Sequence, residues 1–201
     1  MATGSDGTAS DAASRVVRSL PDRGPFGGSR PPARLGAVRL FVAVQPPEHV
    51  LDAVAALRRP ERPGLRWTRR SQWHVTLRFL GEVDDPGPVV EALDAAPLAR
   101  CTAVAGPAVT PLGRSIVVVP VGGVEPLAAA VVEATAHLGA PPDARAFNGH
   151  LTLARVRRGS VRDLVGQAID LRFPVTDVRL VRSEPGPGGS HYEALHVQPL
   201  A

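Results

Sequence analysis

The chain has 201 residues, 44% of them hydrophobic, and a formal net charge of +4. That is enough for one domain or two small lobes with a sizeable core. All 23 residues of the Lys/Arg class are arginine, which excludes a Schiff-base lysine, a P-loop lysine and a nucleotide-carrying lysine. The single Cys101 excludes an internal disulfide and a cysteine metal cluster. No run of about 18 apolar residues occurs, so no membrane span is expected. Without a signal-like apolar core, the expected location is cytoplasmic. Excess arginine suits a phosphate-bearing partner, because the guanidinium fork matches phosphate geometry. A compositional bias toward Ala, Arg, Gly and Pro accounts for it equally well.

Residues 1–35 are rich in Gly, Ser, Pro and Arg without apolar periodicity, and are expected to form a disordered or weakly ordered tail. The folded part is expected over residues 36–201. Val38 to Val44 alternates and is β-branched, which predicts a strand, stopped by Pro46-Pro47. Glu48 to Arg58 has helical spacing at Val50, Val54 and Leu57, ended by Pro60 and Pro63-Gly64. Leu65 to Thr68 reads as a short strand, Ser71-Gln72 as a turn, and Trp73 to Leu80 as a strand closed by Gly81. A helix is expected from Gly87 to Leu98. Strands are expected at Thr102 to Val109 and Arg114 to Val121, with a turn at Pro111 to Gly113. Leu127 to Leu138 reads as a helix stopped by Gly139. The strand His150 to Val156 follows, then a short helix Ser160 to Ile169 with Ser160 as N-cap and Asp163 as a capping-box-like partner. Arg172 to Ser183 and Tyr192 to Val197 read as strands joined by the loop Pro185 to Gly189.

Two of these strands carry the same motif. His74-Val-Thr-Leu77 is repeated as His150-Leu-Thr-Leu153. Residues i and i+2 of a strand share a face, so His74 stands beside Thr76 and His150 beside Thr152. Similar surroundings in each half suggest a duplicated lobe. The expected fold class is α+β, a bilobal pseudo-twofold arrangement of antiparallel-rich sheets flanked by helices, with a central cleft. Two imidazoles allow one to take a proton while the other gives one, and two hydroxyls can hold non-bridging phosphate oxygens. The set fits in-line attack at phosphorus and requires no metal. A lone His-x-Thr is a weak signal, since strand histidines are commonly satisfied polar residues; duplication strengthens it.

The chain resembles the two-histidine phosphoesterase superfamily, specifically the LigT-like RNA 2',3'-cyclic phosphodiesterases (the 2'-5' RNA ligase family). The resemblance rests on Arg39 to Val44, Pro47-Glu48, Arg66-Trp67, His74-Val-Thr-Leu-Arg-Phe-Leu-Gly81, His150-Leu-Thr-Leu-Ala-Arg155, Ser183 and Tyr192 to Leu195. It implies metal-independent hydrolysis of a terminal 2',3'-cyclic phosphate on RNA to a 2'-phosphate, without a cofactor. A monomer is expected, with tRNA fragments among its candidate substrates and reversible 2'-5' joining as a further activity. It implies His150 as the base that activates water, His74 as the acid that protonates the 3'-oxygen, and Thr76 and Thr152 as phosphate ligands. Phe79 and Arg155, each five residues after its histidine, would flank the nucleobase, although simple alternation turns both to the opposite face; their shared offset suggests that both strands bend or end there. Core packing is the other reading of Phe79. Alternation puts Arg78 on the face of His74 and Thr76, where it meets phosphate or forms a solvated edge. The family commonly has Pro before the second histidine; here Asn148-Gly149 precedes it. Other readings keep the site but change the substrate to another cyclic or 2'-5' linked nucleotide, or make the chain a non-catalytic RNA-end binding module. Trp67 and Trp73 read as packing residues, and His49, His137, His191 and His196 as surface or structural ones.

Overall fold

The structure, a computed structural model, describes residues 36–187 and 189–201; the expected tail at residues 1–35 lies outside the described residues. Alternating and β-branched runs form the strands β1 (Val38–Val44), β2 (Leu65–Trp67), β3 (Val75–Val83), β4 (Cys101–Ala105), β5 (Thr110–Leu112), β6 (Ile116–Gly122), β7 (His150–Val156), β8 (Leu171–Val175), β9 (Asp177–Gly186) and β10 (Gly189–Pro199). Three helices intervene: α1 (Glu48–Ala55), α2 (Gly87–Ala95) and α3 (Glu125–Ala134). None is long and apolar enough to cross a membrane.

The strands pair antiparallel in the order β10-β9-β1-β3-β7-β6-β4-β8, with β2 beside β7 and β5 beside β6. The segments β1-α1-β3 and β6-α3-β7 repeat one plan: a strand, a helix, and an antiparallel partner strand carrying or following a His-x-Thr motif. β3 and β7 meet in a narrow seam, the single pair Val75↔Leu151, and β2 continues the contact along β7 from Leu65↔Val156 to Trp67↔Ala154. One face of the sheet packs on the helices. Leu40, Val42, Val44, Val75, Leu77, Leu151 and Leu153 bury there against Val50 and Val54 of α1, Val89 and Leu93 of α2, and Leu127 and Val131 of α3. The alternate residues of the same strands are therefore left on the other face.

Three expectations need correction. Ser160 to Ile169 is not a helix: only one 3₁₀ turn forms, at Arg162–Leu164. Asp163 pairs with Arg62 from the loop before β2, rather than closing a capping box, while Ser160 Oγ accepts from Arg162 N at 3.1 Å. The stretch Pro111 to Gly113 reads as a turn, but Thr110–Leu112 pairs with β6 as the edge strand β5, which tolerates a proline because one side of an edge needs no donor. Arg172 to Ser183 is two strands, broken at Thr176.

Candidate active site: a bulged pair of His-x-Thr strands

The side chains after each histidine follow an unusual order, and the strand register explains it. Between Val42 and Ala43 of β1, the partner on β3 jumps from Arg78 to Thr76, so Leu77 is an extra residue in the ladder. Between Val117 and Val118 of β6, the partner on β7 jumps from Ala154 to Thr152, so Leu153 is extra. Each is a β-bulge, which shifts the alternation by one residue. In β3, Val75, Leu77, Arg78 and Leu80 are buried while Thr76 is half-buried and Phe79 is 37% exposed. In β7, Leu151, Leu153, Ala154 and Val156 are buried while Thr152 is half-buried and Arg155 exposed. Phe79 thus returns to the face of Thr76, and Arg155 to the face of Thr152. This is the bend that the shared offset suggested, and it removes core packing as the account of Phe79.

The same bulge overturns the face expected for Arg78. Its side chain is 4% exposed and points to the helix side. It donates to the carbonyls of Val132 (2.9 Å), Leu138 (3.1 Å) and Ala140 (3.2 Å) and to Thr135 Oγ1 (2.7 Å). These acceptors lie at and beyond the C-terminal end of α3, where helix carbonyls run out of intrahelical partners. Arg78 is therefore a bolt between β3 and α3, away from His74 and Thr76, and burial pushes its pKa down.

At the seam, extending the register by one residue either side of Val75↔Leu151 sets His74 opposite Thr152 and Thr76 opposite His150. The four side chains form a small crossed array on the face away from the helices. The two imidazoles are near enough for the charge of His150 to disfavour charge on His74.

Both rings are oriented by the backbone two residues earlier. His150 Nδ1 lies 2.7 Å from Asn148 O. A carbonyl only accepts, so Nδ1 carries the hydrogen and Nε2 is left to exchange a proton. The Gln72 backbone likewise bonds the His74 ring. Gln72 itself lies in a 3₁₀ turn (Arg70–Gln72) that Arg70 ties to Glu48 and Asp52 of α1. Gly149 is needed for its lack of a side chain rather than for backbone freedom. A Cβ there would meet Val121 O at 2.2 Å, while Gly149 O accepts from Val121 N at 2.8 Å. Among the described residues, neither Thr76 nor Thr152 spends its hydroxyl on another protein group, so both are available to a ligand.

The surroundings of the two histidines differ. His74 lies 4.7 Å from the Phe41 ring and 5.0 Å edge-on from Tyr192, centroid to centroid. Phe41, Ala43 and Val181, with Tyr192 against them, form a second small apolar cluster. This desolvation lowers the His74 pKa from 6.5 to about 4, with the His150 charge acting in the same direction and the Gln72 backbone bond opposing. Phe41 also stacks on Phe79 at 5.7 Å, and Arg39 lies over the Phe79 ring at 5.2 Å. Sequence reasoning misses the part played by Phe41 and by the Gln72 backbone. The signal for Phe41 is its place one strand from Phe79, which only the pairing of β1 with β3 reveals.

The remaining histidines stay outside this array: His196 pairs with Asp94 at 2.8 Å, and His49, His137 and His191 are exposed. Trp73 is buried and Trp67 half-buried, with Arg59 over both rings. Among the described residues, no group of three or more His, Cys, Asp or Glu side chains is arranged to hold a metal ion.

An antiparallel sheet with two His-x-Thr strands at its centre is the arrangement that the resemblance to two-histidine phosphoesterases implied. Residues 42–102 match the family model described as LigT like phosphoesterase. Among solved structures, TT0787 of Thermus thermophilus is 27% identical, with a TM-score of 0.65 over 81% of this chain and 97% of that one. E. coli LigT in its apo form is 23% identical, with a TM-score of 0.64 over 83% of this chain and 99% of its own. E. coli LigT complexed with 3'-AMP is 24% identical at the same TM-score of 0.64, over 82% and 98% of the two chains. No curated protein matches. The chain is thus similar to LigT-like phosphoesterases over the segment 42–102 and shares their fold.

Proposed function

We propose that this protein is a two-histidine phosphoesterase that hydrolyses RNA ending in a 2',3'-cyclic phosphate, opening it to a 2'-phosphomonoester. The observation that carries this reading is the crossed array of His74, Thr76, His150 and Thr152, built on two strands that bulge at the matching position. Thr76 and Thr152 hold the two non-bridging oxygens of the cyclic phosphate. His150 takes a proton from the attacking water through Nε2, and His74 gives one to the departing 3'-oxygen. The P–O3' bond breaks as the new P–O bond forms, so one proton enters and one leaves across the pair. The donors are hydroxyls and imidazoles, and no step is routed through a metal. Phe79 and Arg155, returned to the cleft face by the bulges, flank the terminal base. E. coli LigT, which shares the fold, has been crystallised with 3'-AMP and with phosphate, consistent with a nucleotide carrying phosphate near the ribose 3'-position.

The test is hydrolysis, in EDTA, of an RNA oligomer ending in a 2',3'-cyclic phosphate by wild type, His74→Ala and His150→Ala. Turnover to a 2'-phosphate is expected in EDTA, falling by about 10²–10⁴-fold in each variant, the usual contribution of a positioned acid or base. Tight binding of the same RNA without wild-type turnover would refute the enzyme and leave an RNA-end binding module.

A further inference from the structure

Beside His74 lies a cavity of about 30 Å³, on the β1 and β9 side of β3 and so away from His150 on β7. Gln45, Ser71, Arg179 and Tyr192 line it, with Phe41 and Val181 as its apolar wall. The depression is partly open and its enclosed space is that of a couple of waters, too small for a base, so a ligand reaches its polar groups from the rim. Its polar side chains are spared by the rest of the protein. Among the described residues, Gln45, Ser71 and Tyr192 make no side-chain hydrogen bond to protein, and Arg179 is engaged only through Nε, 3.1 Å from Asp177 Oδ1. The terminal nitrogens of the Arg179 guanidinium therefore remain for a ligand. Gln45, Arg179 and Tyr192 are half-buried, and Ser71 stands exposed at the rim. Four polar side chains turned to one depression, all with hydrogen-bonding capacity unspent, are what an anion requires of its host.

The register puts this cavity in line with the reacting group. Ala43 pairs with Thr76 on one side and with Arg179 on the other, so Thr76, Ala43 and Arg179 form one row across three strands. With strands about 4.8 Å apart, Arg179 starts about 10 Å from the backbone of the phosphate-binding Thr76, and its long side chain spans part of that gap. We propose that Arg179, with Gln45, Ser71 and Tyr192, forms a second anion subsite that holds the 5'-side phosphate of the terminal nucleotide. This rests on the cyclic-phosphate reading and narrows it: the substrate is a nucleotide phosphorylated on both sides of its ribose, as at the end of an RNA chain, rather than a cyclic mononucleoside phosphate. Asp177 orients the guanidinium through Nε, leaving its other edge for a bidentate phosphate contact.

The experiment compares equilibrium binding of adenosine 2'-monophosphate and adenosine 2',5'-bisphosphate at about 0.15 M salt, where surface attraction is largely screened. Wild type should bind the bisphosphate about tenfold more tightly, the gain expected of one charge-assisted contact. In Arg179→Gln that gain should vanish, and in Gln45→Ala it should shrink. Equal wild-type affinity for the two ligands, or a gain that survives Arg179→Gln, overturns the subsite. Neither ligand is turned over, so the result is independent of hydrolysis: failure to cleave a cyclic phosphate would refute the proposed reaction and leave the measured affinity gain standing.

Discussion

Replacing Arg78 by Met removes the guanidinium and keeps most of the apolar stem. Four acceptors lose a donor: the carbonyls of Val132, Leu138 and Ala140, and Thr135 Oγ1. Thr135 is fully buried and its own hydroxyl donates to Val131 O at 2.6 Å, so water has little access to that end of the network. A hydrogen bond contributes about 1 kcal/mol net, and more where a charged donor is involved. Relief from burying the guanidinium offsets part of this, because among the described residues no carboxylate accompanies it. The expected net loss is about 3 kcal/mol. For a folded unit of this size, each kcal/mol lowers Tm by roughly 2–4 °C, so the midpoint should fall by about 6–12 °C. Thermal unfolding followed by circular dichroism measures it. A Tm unchanged within about 2 °C, with a raised KM for the cyclic phosphate, would refute the bulge argument and return Arg78 to the cleft face.

His74 has a folded pKa of about 4 against an ordinary 6.5, so the unfolded chain binds the extra proton between those values. Stability should therefore hold above pH 6.5 and fall as the pH drops toward about 4; urea unfolding across that range, compared with His74→Gln, checks the sign, and an unchanged slope in the variant would remove His74 as the cause. Phe79→Ala and Arg155→Ala should each weaken binding of an RNA end by about 1–3 kcal/mol, read as KM, if both flank the base. Gly149→Ala forces a Cβ to within 2.2 Å of Val121 O, so it should displace His150 and lower kcat with a smaller effect on KM. Normal kcat in that variant would show that the strand yields without moving the imidazole.

The pairing of each His with its Thr is legible in the sequence, because strand alternation acts over two residues and needs no knowledge of partners. The faces of Arg78, Phe79 and Arg155 are not. A bulge is a relation between two strands, and Leu77 and Leu153 look like ordinary core residues until β1 and β6 are laid beside them. The repeated offset of five is the one legible trace of it. Pro111 misleads for a related reason: whether a proline breaks a strand depends on whether that strand is at an edge. Ser160 and Asp163 have the spacing of a cap, but Asp163 finds a stronger partner in Arg62, about a hundred residues away in the chain, and local capping yields to that pairing. Arg179 and Tyr192 come beside His74 only because β9 pairs onto β1 and β10 onto β9.

The two strands share the bulge at Leu77 and Leu153 but differ in surroundings, and that inequality bears on which histidine gives the proton. His74 sits against Phe41 and Tyr192, whereas the register positions matching Phe41 and Ala43 in the other half are Ile116 and Val118. With a pKa of about 4, His74 is neutral in the free chain at pH 7, which is not the state of an acid. The substrate supplies what is missing. A phosphate anion about 4 Å away, at an effective dielectric of about 20, favours the imidazolium by about 4 kcal/mol, or roughly three pH units. That carries His74 from about 4 to near 7, so its proton should arrive with the ligand. Calorimetric binding of a nucleoside 2',3'-cyclic phosphate to the His150→Ala variant, in two buffers of different ionisation enthalpy, measures the uptake. The cyclic diester does not itself titrate near pH 7, so a sizeable fraction of a proton taken up in His150→Ala, and lost when His74→Gln is added, identifies His74 as the acid. Binding with no proton uptake would leave His74 neutral in the complex and make it the base, with His150 the donor to the 3'-oxygen.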